Sequence, residues 1–212
     1  MLARLAGVRV IHQAADWLAL DKPAGVLSVP GKGEVGAISV VSWVKERYPH
    51  ATGPLTVHRL DMDTSGLLLV GLTPESQRSL SMLFEARGVE KSYVAVVAGR
   101  VGQASGVFDA PMRLDVPNRP RQVIDFEQGK PARTEFRVLA AEDDRTRLKL
   151  VPLTGRTHQL RLHCAHAGHP IFGDIIYGDR TSAPRLLLHA ERLAFADPGS
   201  GQPITIESLA PF

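Results

Sequence analysis

Two carboxylates, Asp61 and Asp63, lie two residues apart in the stretch VHRLDMDTSGLLLVGL (residues 57–72), between a basic pair, His58 and Arg59, and a Thr64-Ser65-Gly66 turn. An ionised carboxylate can act as nucleophile or general base, but only where its surroundings hold it in place. Here an apolar run follows directly, residues 67–72, short and bounded by glycine, which reads as a strand buried on both faces. Asp61 is therefore the candidate reacting group. Taken alone, these residues leave three readings. Asp, Ser and Gly are what turns use, so the segment can be an Asx-type turn feeding a strand. Asp61, Asp63, Ser65 and Gly66 also fall on the first, third, fifth and sixth places of a calcium loop. The twelfth place, however, holds Leu72 where a bidentate glutamate is needed, and Pro54 stands where an amphipathic helix should precede, which argues against calcium. Finally, side chains two apart on a strand share a face at a separation of roughly 7 Å, which suits acid and base work on a glycoside.

A second chemical stretch is TGRTHQLRLHCAHAG, residues 154–168. The spacing predicts a helix capped by Thr157 and ended by Gly168, with Arg156 on the loop just ahead of its amino terminus. The guanidinium and the positive end of that helix would both favour an ionised carboxylate brought near them. His158, His163, His166 and His169 raise a zinc site, but there is no matching thiol pair, and His163 with His166 makes a poor closed site. The one cysteine, Cys164, reads as a small buried hydrophobe and leaves no intrachain disulfide.

The pattern H-R-L-D-x-x-T-S-G, residues 58–66, resembles the active-site signature of the RluA-type pseudouridine synthases; it is specific at seven positions, far more than a two-glycine motif. DKPAGVLSVP (21–30) resembles the entry of that family's catalytic domain, and residues 155–161 resemble its G-R-T-H-Q-L-R motif. PNRPRQ and GKPARTEF resemble the dual-specificity RluA subgroup. The resemblance runs from about Val10 to the end of the chain. It implies an isomerase that breaks the N1–C1′ bond of a uridine in structured RNA, turns the uracil and rejoins it through C5. It further implies Asp61 as the catalytic group, Arg156 as its ionic partner, Tyr93 (Lys91-Ser92-Tyr93) stacked on the uracil, and Arg59 filling the space that the flipped base leaves. No cofactor or metal is implied. The partners implied are a 23S ribosomal RNA hairpin and a tRNA anticodon stem-loop. A glycoside hydrolase and a noncatalytic RNA-binding module are the alternatives from other classes, and a tRNA synthase acting at another position is the nearer one.

These groups need elements to carry them. Strands are expected at residues 8–12, 17–20 and 91–99, an amphipathic helix at 38–48, and a helix capped by Thr73 with Pro74 in its first turn and Gly88 past its end. A hairpin is expected from residues 134–140 and 146–151, and two closing strands in the tail, separated by a turn at 197–202. Residues 102–131, dense in proline and containing RLDVPNRPRQ, read as an irregular basic arm bearing Arg113, Arg119 and Arg121. The expected fold is α+β, a mixed, largely antiparallel sheet flanked by helices, with a central cleft where Asp61, Tyr93 and Arg156 meet. A single catalytic domain over residues 1–212 is expected, without the S4-like RNA-binding extension of some relatives.

At 212 residues with 44% hydrophobic and 22% charged side chains, the composition is that of a globular protein able to bury an ordinary core. Net charge is only +3, so charge distribution matters more than its sum. Residues 145–173 contain no Asp or Glu but hold Arg145, Arg147, Lys149, Arg156 and Arg161, an expected positive surface. Arg145, Arg147 and Lys149 alternate along one strand and should form a basic ridge for RNA. No apolar stretch suits a secretory signal or a membrane span, so a cytoplasmic protein without membrane or stable protein partners is expected.

Overall fold

The computed structural model describes residues 5–31, 33 and 38–212, and within them the chain forms two compact units, residues 1–91 with 189–211, and residues 92–188 with 212. The end of the turn-rich segment that begins at DKPAGVLSVP, residues 32 and 34–37, and the first four residues read for a signal sequence lie outside the described residues. The architecture is α+β, with three α-helices that lie wholly among the described residues and mostly antiparallel strands. Among the described residues no helix is long and apolar enough to cross a membrane.

The first unit is built on two fully buried strands, β2 (Trp17–Lys22) and β3 (Ser65–Gly71). They pair antiparallel from Trp17↔Gly71 to Lys22↔Gly66, while β1 (Arg9–Gln13) lies on the outer side of β2. Strand β10 (Leu188–Ala196) runs parallel to β3 through His189↔Ser65 and Ala190↔Gly66, and β11 (Pro203–Glu207) closes this sheet antiparallel to β10. Gly66 is required at that parallel contact: its φ is +109°, and a Cβ there would lie 2.3 Å from the Ala190 carbonyl oxygen. Trp17, Leu67, Leu69, Leu80, Leu193 and Phe195 share one core cluster.

Helix α1 (Val40–Arg47) starts at a reciprocal cap between Ser39 and Ser42 and buries Val41, Trp43 and Val44, as the period of the sequence predicts. Helix α2 (Pro74–Glu85) starts as expected, with Thr73 as its cap and Pro74 in its first turn. It packs directly on β3, and a Cβ on Gly71 would come within 2.4 Å of the Gln77 backbone nitrogen.

The second unit carries four antiparallel strands in the order β4 (Glu90–Ala98), β9 (Arg145–Pro152), β8 (Arg133–Ala141) and β5 (Ser105–Asp109). Helix α3 (Gln159–His166) covers them, with Leu160 and Cys164 packed into a cluster of Ala95, Phe136, Leu148 and Leu150. The β8–β9 hairpin matches its sequence pattern. Residues 102–131 do not. Besides β5 they form a small two-stranded sheet of β6 (Met112–Leu114) and β7 (Gln122–Ile124), joined through a 3₁₀ turn at Val116–Asn118. Strands of three residues are too short to show a period, and prolines in the connecting turn made the whole segment read as irregular.

Candidate active site

Asp61 sits half-buried at the head of a turn that ends in β3, with the Thr64 amide donating to the Asp61 carbonyl at 3.2 Å. The turn is one step earlier than the sequence suggests: it spans 61–64, and Ser65 and Gly66 already belong to the strand. Its neighbours on both sides are gripped by the DKPAGVLSVP loop. Ser28 Oγ donates to the Leu60 carbonyl at 2.8 Å and accepts from the Leu60 amide at 3.0 Å. Lys22, fully buried, donates from Nζ to the carbonyls of Met62 (2.8 Å), Val26 (2.8 Å) and Pro23 (3.0 Å), and the Gly25 amide also donates to Met62. A buried ammonium has to be surrounded by acceptors, and here those acceptors belong to the segments that must stay still. The backbone on either side of Asp61 is thus fixed by two residues roughly thirty-five positions upstream, a placement that preorganises a reacting carboxylate.

Sequence reasoning passed over both residues. The available signal was Lys22 itself, a lysine ending a strand otherwise made of apolar residues and Asp21. The change Ser28→Ala should leave the buried Leu60 amide without its acceptor, at a cost of about 1–3 kcal/mol. With Asp61 as the reacting group, it should also lower turnover by about tenfold, one 1.36 kcal/mol step in the barrier, while KM stays put. Thermal unfolding and single-turnover kinetics read the two effects separately, and Ser28→Thr should restore most of the second.

His58, which opens the signature, is structural. Its Nε2 accepts the Leu69 amide at 3.0 Å and its ring stacks on Phe84 with centroids 4.3 Å apart. Burial, and after it the Lys91 ammonium, lower its pKa to about 3. In the unfolded chain the same imidazole titrates near 6.5, so only the unfolded state gains a proton as pH falls below that value. Stability should therefore decline between pH 6.5 and about 3, and the His58 ring signals in NMR should stay constant from neutral pH down to about pH 4. Arg59 is exposed and Asp63 half-buried.

Tyr93 and Arg156 belong to the second unit. Tyr93, half-buried, is the fourth residue of β4 and sits opposite Leu150 on β9. The chain leaves β9 two residues later and runs into the loop that carries the exposed Arg156, so the two residues are brought to one end of the β4–β9 pair. Thr157 does not cap α3. The cap position is His158, held in the left-handed conformation at φ 57° with Nδ1 3.0 Å from the Tyr177 hydroxyl. No side chain caps the helix there; Gln159, its first residue, instead holds the preceding loop, its Oε1 accepting from the Arg156 amide (3.0 Å) and the Thr154 hydroxyl (2.7 Å). Its Nε2 donates to the Arg133 carbonyl and to Thr134 Oγ1, both at 2.9 Å. Gln159 thus ties the Arg156 loop to the sheet.

The basic residues divide. On β9 the charges alternate with buried Thr146, Leu148 and Leu150 as expected, yet Arg145 is engaged by Asp144 and Glu142, and Arg147 by the Phe212 carbonyl and ring. Lys149 stays half-exposed. Arg161 leaves the expected positive surface altogether, since it is buried and forms a bidentate pair with Asp174 at 2.7 and 2.8 Å. Arg113 is paired with Asp125 across the β6–β7 sheet. Arg121 donates to the Ile176 carbonyl at 2.8 Å and lies over the Tyr177 ring, while Arg119 is exposed.

The histidines do not converge. His163 is buried between Thr134 Oγ1 and the Ala110 carbonyl, and His169 Nδ1 lies 2.9 Å from the Ala98 carbonyl oxygen. Among the described residues no group of three or more His, Cys, Asp or Glu side chains is placed to hold a metal. The Cys164 thiol is fully buried, and burial pushes its pKa up to about 12, which leaves it protonated and inert.

A family profile described as RNA pseudouridylate synthase matches residues 16–166. The chain is 44% identical over 207 residues, 96% of its length and 93% of the relative's, to a protein of Escherichia coli K12 called dual-specificity RNA pseudouridine synthase RluA. A protein of the same name from Pasteurella multocida is 45% identical over 193 residues, covering 89% of this chain and 87% of that one. Among solved structures, human RNA pseudouridylate synthase domain containing 1 superposes with a TM-score of 0.80 at 29% identity, covering 97% of this chain and 84% of that one.

Proposed function

This chain belongs to the RNA pseudouridylate synthase family, of the RluA type, and we propose that within it the protein isomerises selected uridines of a 23S ribosomal RNA hairpin and of a tRNA anticodon stem-loop. The enzyme class, an isomerase acting on RNA, follows from the family; the choice of RNA follows the similarity to relatives named for dual specificity.

Asp61 is the proposed reacting group. Its carboxylate acts on the electron-poor sugar carbon exposed as the glycosidic bond breaks. The observation that supports this most is the clamp on both its neighbours, Ser28 on Leu60 and Lys22 on Met62, which fixes the backbone that bears it. Tyr93 offers the face on which the uracil stacks while it turns, and Arg156, exposed at the same end of the β4–β9 pair, supplies positive charge to the reaction. Arg59, exposed beside Asp61, takes the place of the extruded base in the RNA stack. Flipping costs a few kcal/mol and least in a loop, which favours hairpin loops over continuous duplex. Lys149, Arg119 and Arg121 are proposed to hold the RNA backbone, with Arg145 contributing less because Asp144 and Glu142 already offset its charge. The protein is proposed to work in the cytoplasm, where such RNAs are found.

Mapping pseudouridines in total RNA from cells with and without the gene tests this choice of substrate. The expected result is loss of one site in 23S ribosomal RNA and one in the anticodon arm of certain tRNAs. Loss confined to a tRNA site elsewhere would replace the dual reading with the narrower one.

A further inference from the structure

Within the second unit, an open hollow of about 460 Å³ is lined by Asp115, Asn118, Pro120, Arg121, Ile175 and Ile176. That volume is in the range of sites that hold small organic groups. Its two walls are built and tied together. One is the 3₁₀ turn Val116–Asn118 with its flanks, closed by the Asp115 amide on the Arg121 carbonyl (2.9 Å) and the Arg121 amide on the Asn118 carbonyl (2.9 Å). The other is the loop through Ile175 and Ile176, whose shape is set from beneath by the buried Asp174. That carboxylate accepts the amides of Ile176 (2.9 Å) and Tyr177 (3.0 Å) while it is paired with Arg161. Arg121 crosses from one wall to the other with its bond to the Ile176 carbonyl, and Tyr177 Oη accepts the Gln122 amide at 2.7 Å.

The lining is chemically mixed in a specific way. Ile175 is 56% exposed, and Pro120, also in the lining, is exposed as well. Arg121 has no carboxylate partner among the described residues, so one guanidinium charge in the lining is held only by the Ile176 carbonyl and the Tyr177 ring. The Asp115 carboxylate accepts from Asn118 Nδ2 at 2.9 Å, and this leaves the Asn118 amide oxygen and the remaining carboxylate lone pairs as acceptors. An exposed isoleucine and proline beside polar acceptors and one cation suit a planar ring carrying amino groups and joined to an anionic backbone. A free phosphate would meet the Asp115 carboxylate.

We propose that this hollow is a second nucleotide subsite, which takes one unstacked base of the substrate RNA other than the reacting uridine. The base lies against Ile175 and Pro120, its phosphate meets Arg121, and Asp115 with Asn118 selects a base bearing an exocyclic amine over uracil. The subsite rests on the reading of the protein as an RNA uridine isomerase, and it makes residues 115–121 and 175–176 specificity determinants of that reaction.

The test uses the full chain and a synthetic hairpin RNA whose loop carries a uridine tritiated at C5. In a companion set, each other loop nucleotide in turn is abasic. Ile175→Ala, at an exposed position where the fold should tolerate it, is expected to weaken binding of the parent hairpin by about five- to tenfold. On one abasic RNA of the set it should bind like the unaltered protein, because the base it would have touched is gone. Asp115→Asn should discriminate less between that base and uracil at the same position. Equal loss on every RNA of the set, or no loss on the parent, would overturn the subsite. The tritium keeps the two readings apart: label release with no coupling between Ile175 and any base sinks the subsite alone, whereas coupled binding without release from any RNA sinks the isomerase reading.

Discussion

Replacing Asp61 with Asn is expected to lower uridine isomerisation by at least about a thousandfold, the scale on which enzymes lose turnover when a reacting side chain is removed. The amide keeps the shape of the carboxylate but cannot attack carbon or take a proton. RNA affinity should change by no more than about threefold, one exposed-contact's worth, because Arg119, Arg121 and Lys149 are untouched. The fold should hold as well, since the amide fills the same space and Ser28 and Lys22 still hold Leu60 and Met62 on either side. A variant that binds RNA normally, melts normally and does not turn over is the expected result. Turnover within tenfold of the unaltered protein would remove Asp61 from the mechanism.

Breaking the Arg161–Asp174 pair should have the largest effect on stability. Both side chains are essentially inaccessible, and the pair holds the loop through Ile176 and Tyr177 as well as the helix. Asp174→Asn leaves a buried guanidinium without its counter-charge, and loss of one member of such a pair costs about 3–5 kcal/mol. Replacing both residues with apolar ones should cost much less, and chemical denaturation of the single and double variants measures the difference. Burial raises the Asp174 pKa, but hydrogen bonds and charge from Arg161 with the two amides outweigh it, so the folded value lies below 3.8. A depressed carboxylate stabilises above its unfolded pKa and loses that contribution as pH falls through the folded value. Acid unfolding should therefore steepen below pH 3.8, and Asp174→Asn should flatten that limb.

Much of this was legible in the residues. The apolar runs of β2 and β3, the Thr73-Pro74 start of α2 and the alternation of β8 and β9 each satisfy a local rule, and each forms as that rule predicts. What escaped is what depends on distant partners. Arg161 counts as surface charge until Asp174, thirteen residues on, removes it to the interior. Thr157 satisfies the rule for a helix cap, yet the cap position falls on His158, and Gln159 ties the loop before it to the sheet. Pro111, Pro117 and Pro120 disguise a sheet of three-residue strands, and Lys22 and Ser28 reveal their part only once Leu60 and Met62 lie beside them. The signature at residues 58–66 pointed to the family, while the parts that hold that turn in place, Lys22 and Ser28, lie well upstream in the first unit.

The central claim is that a uridine in RNA is detached from its sugar and reattached through C5 with Asp61 as the reacting group. Hairpin RNA tritiated at uracil C5 tests it most directly. Isomerisation replaces the C5 hydrogen by the sugar, so the unaltered protein should release the label to water in proportion to pseudouridine formed, and Asp61→Asn should release none above background. Free tritiated uracil in place of tritiated water would show hydrolysis of the glycosidic bond, and binding without either product would show a noncatalytic module. Both outcomes contradict the account.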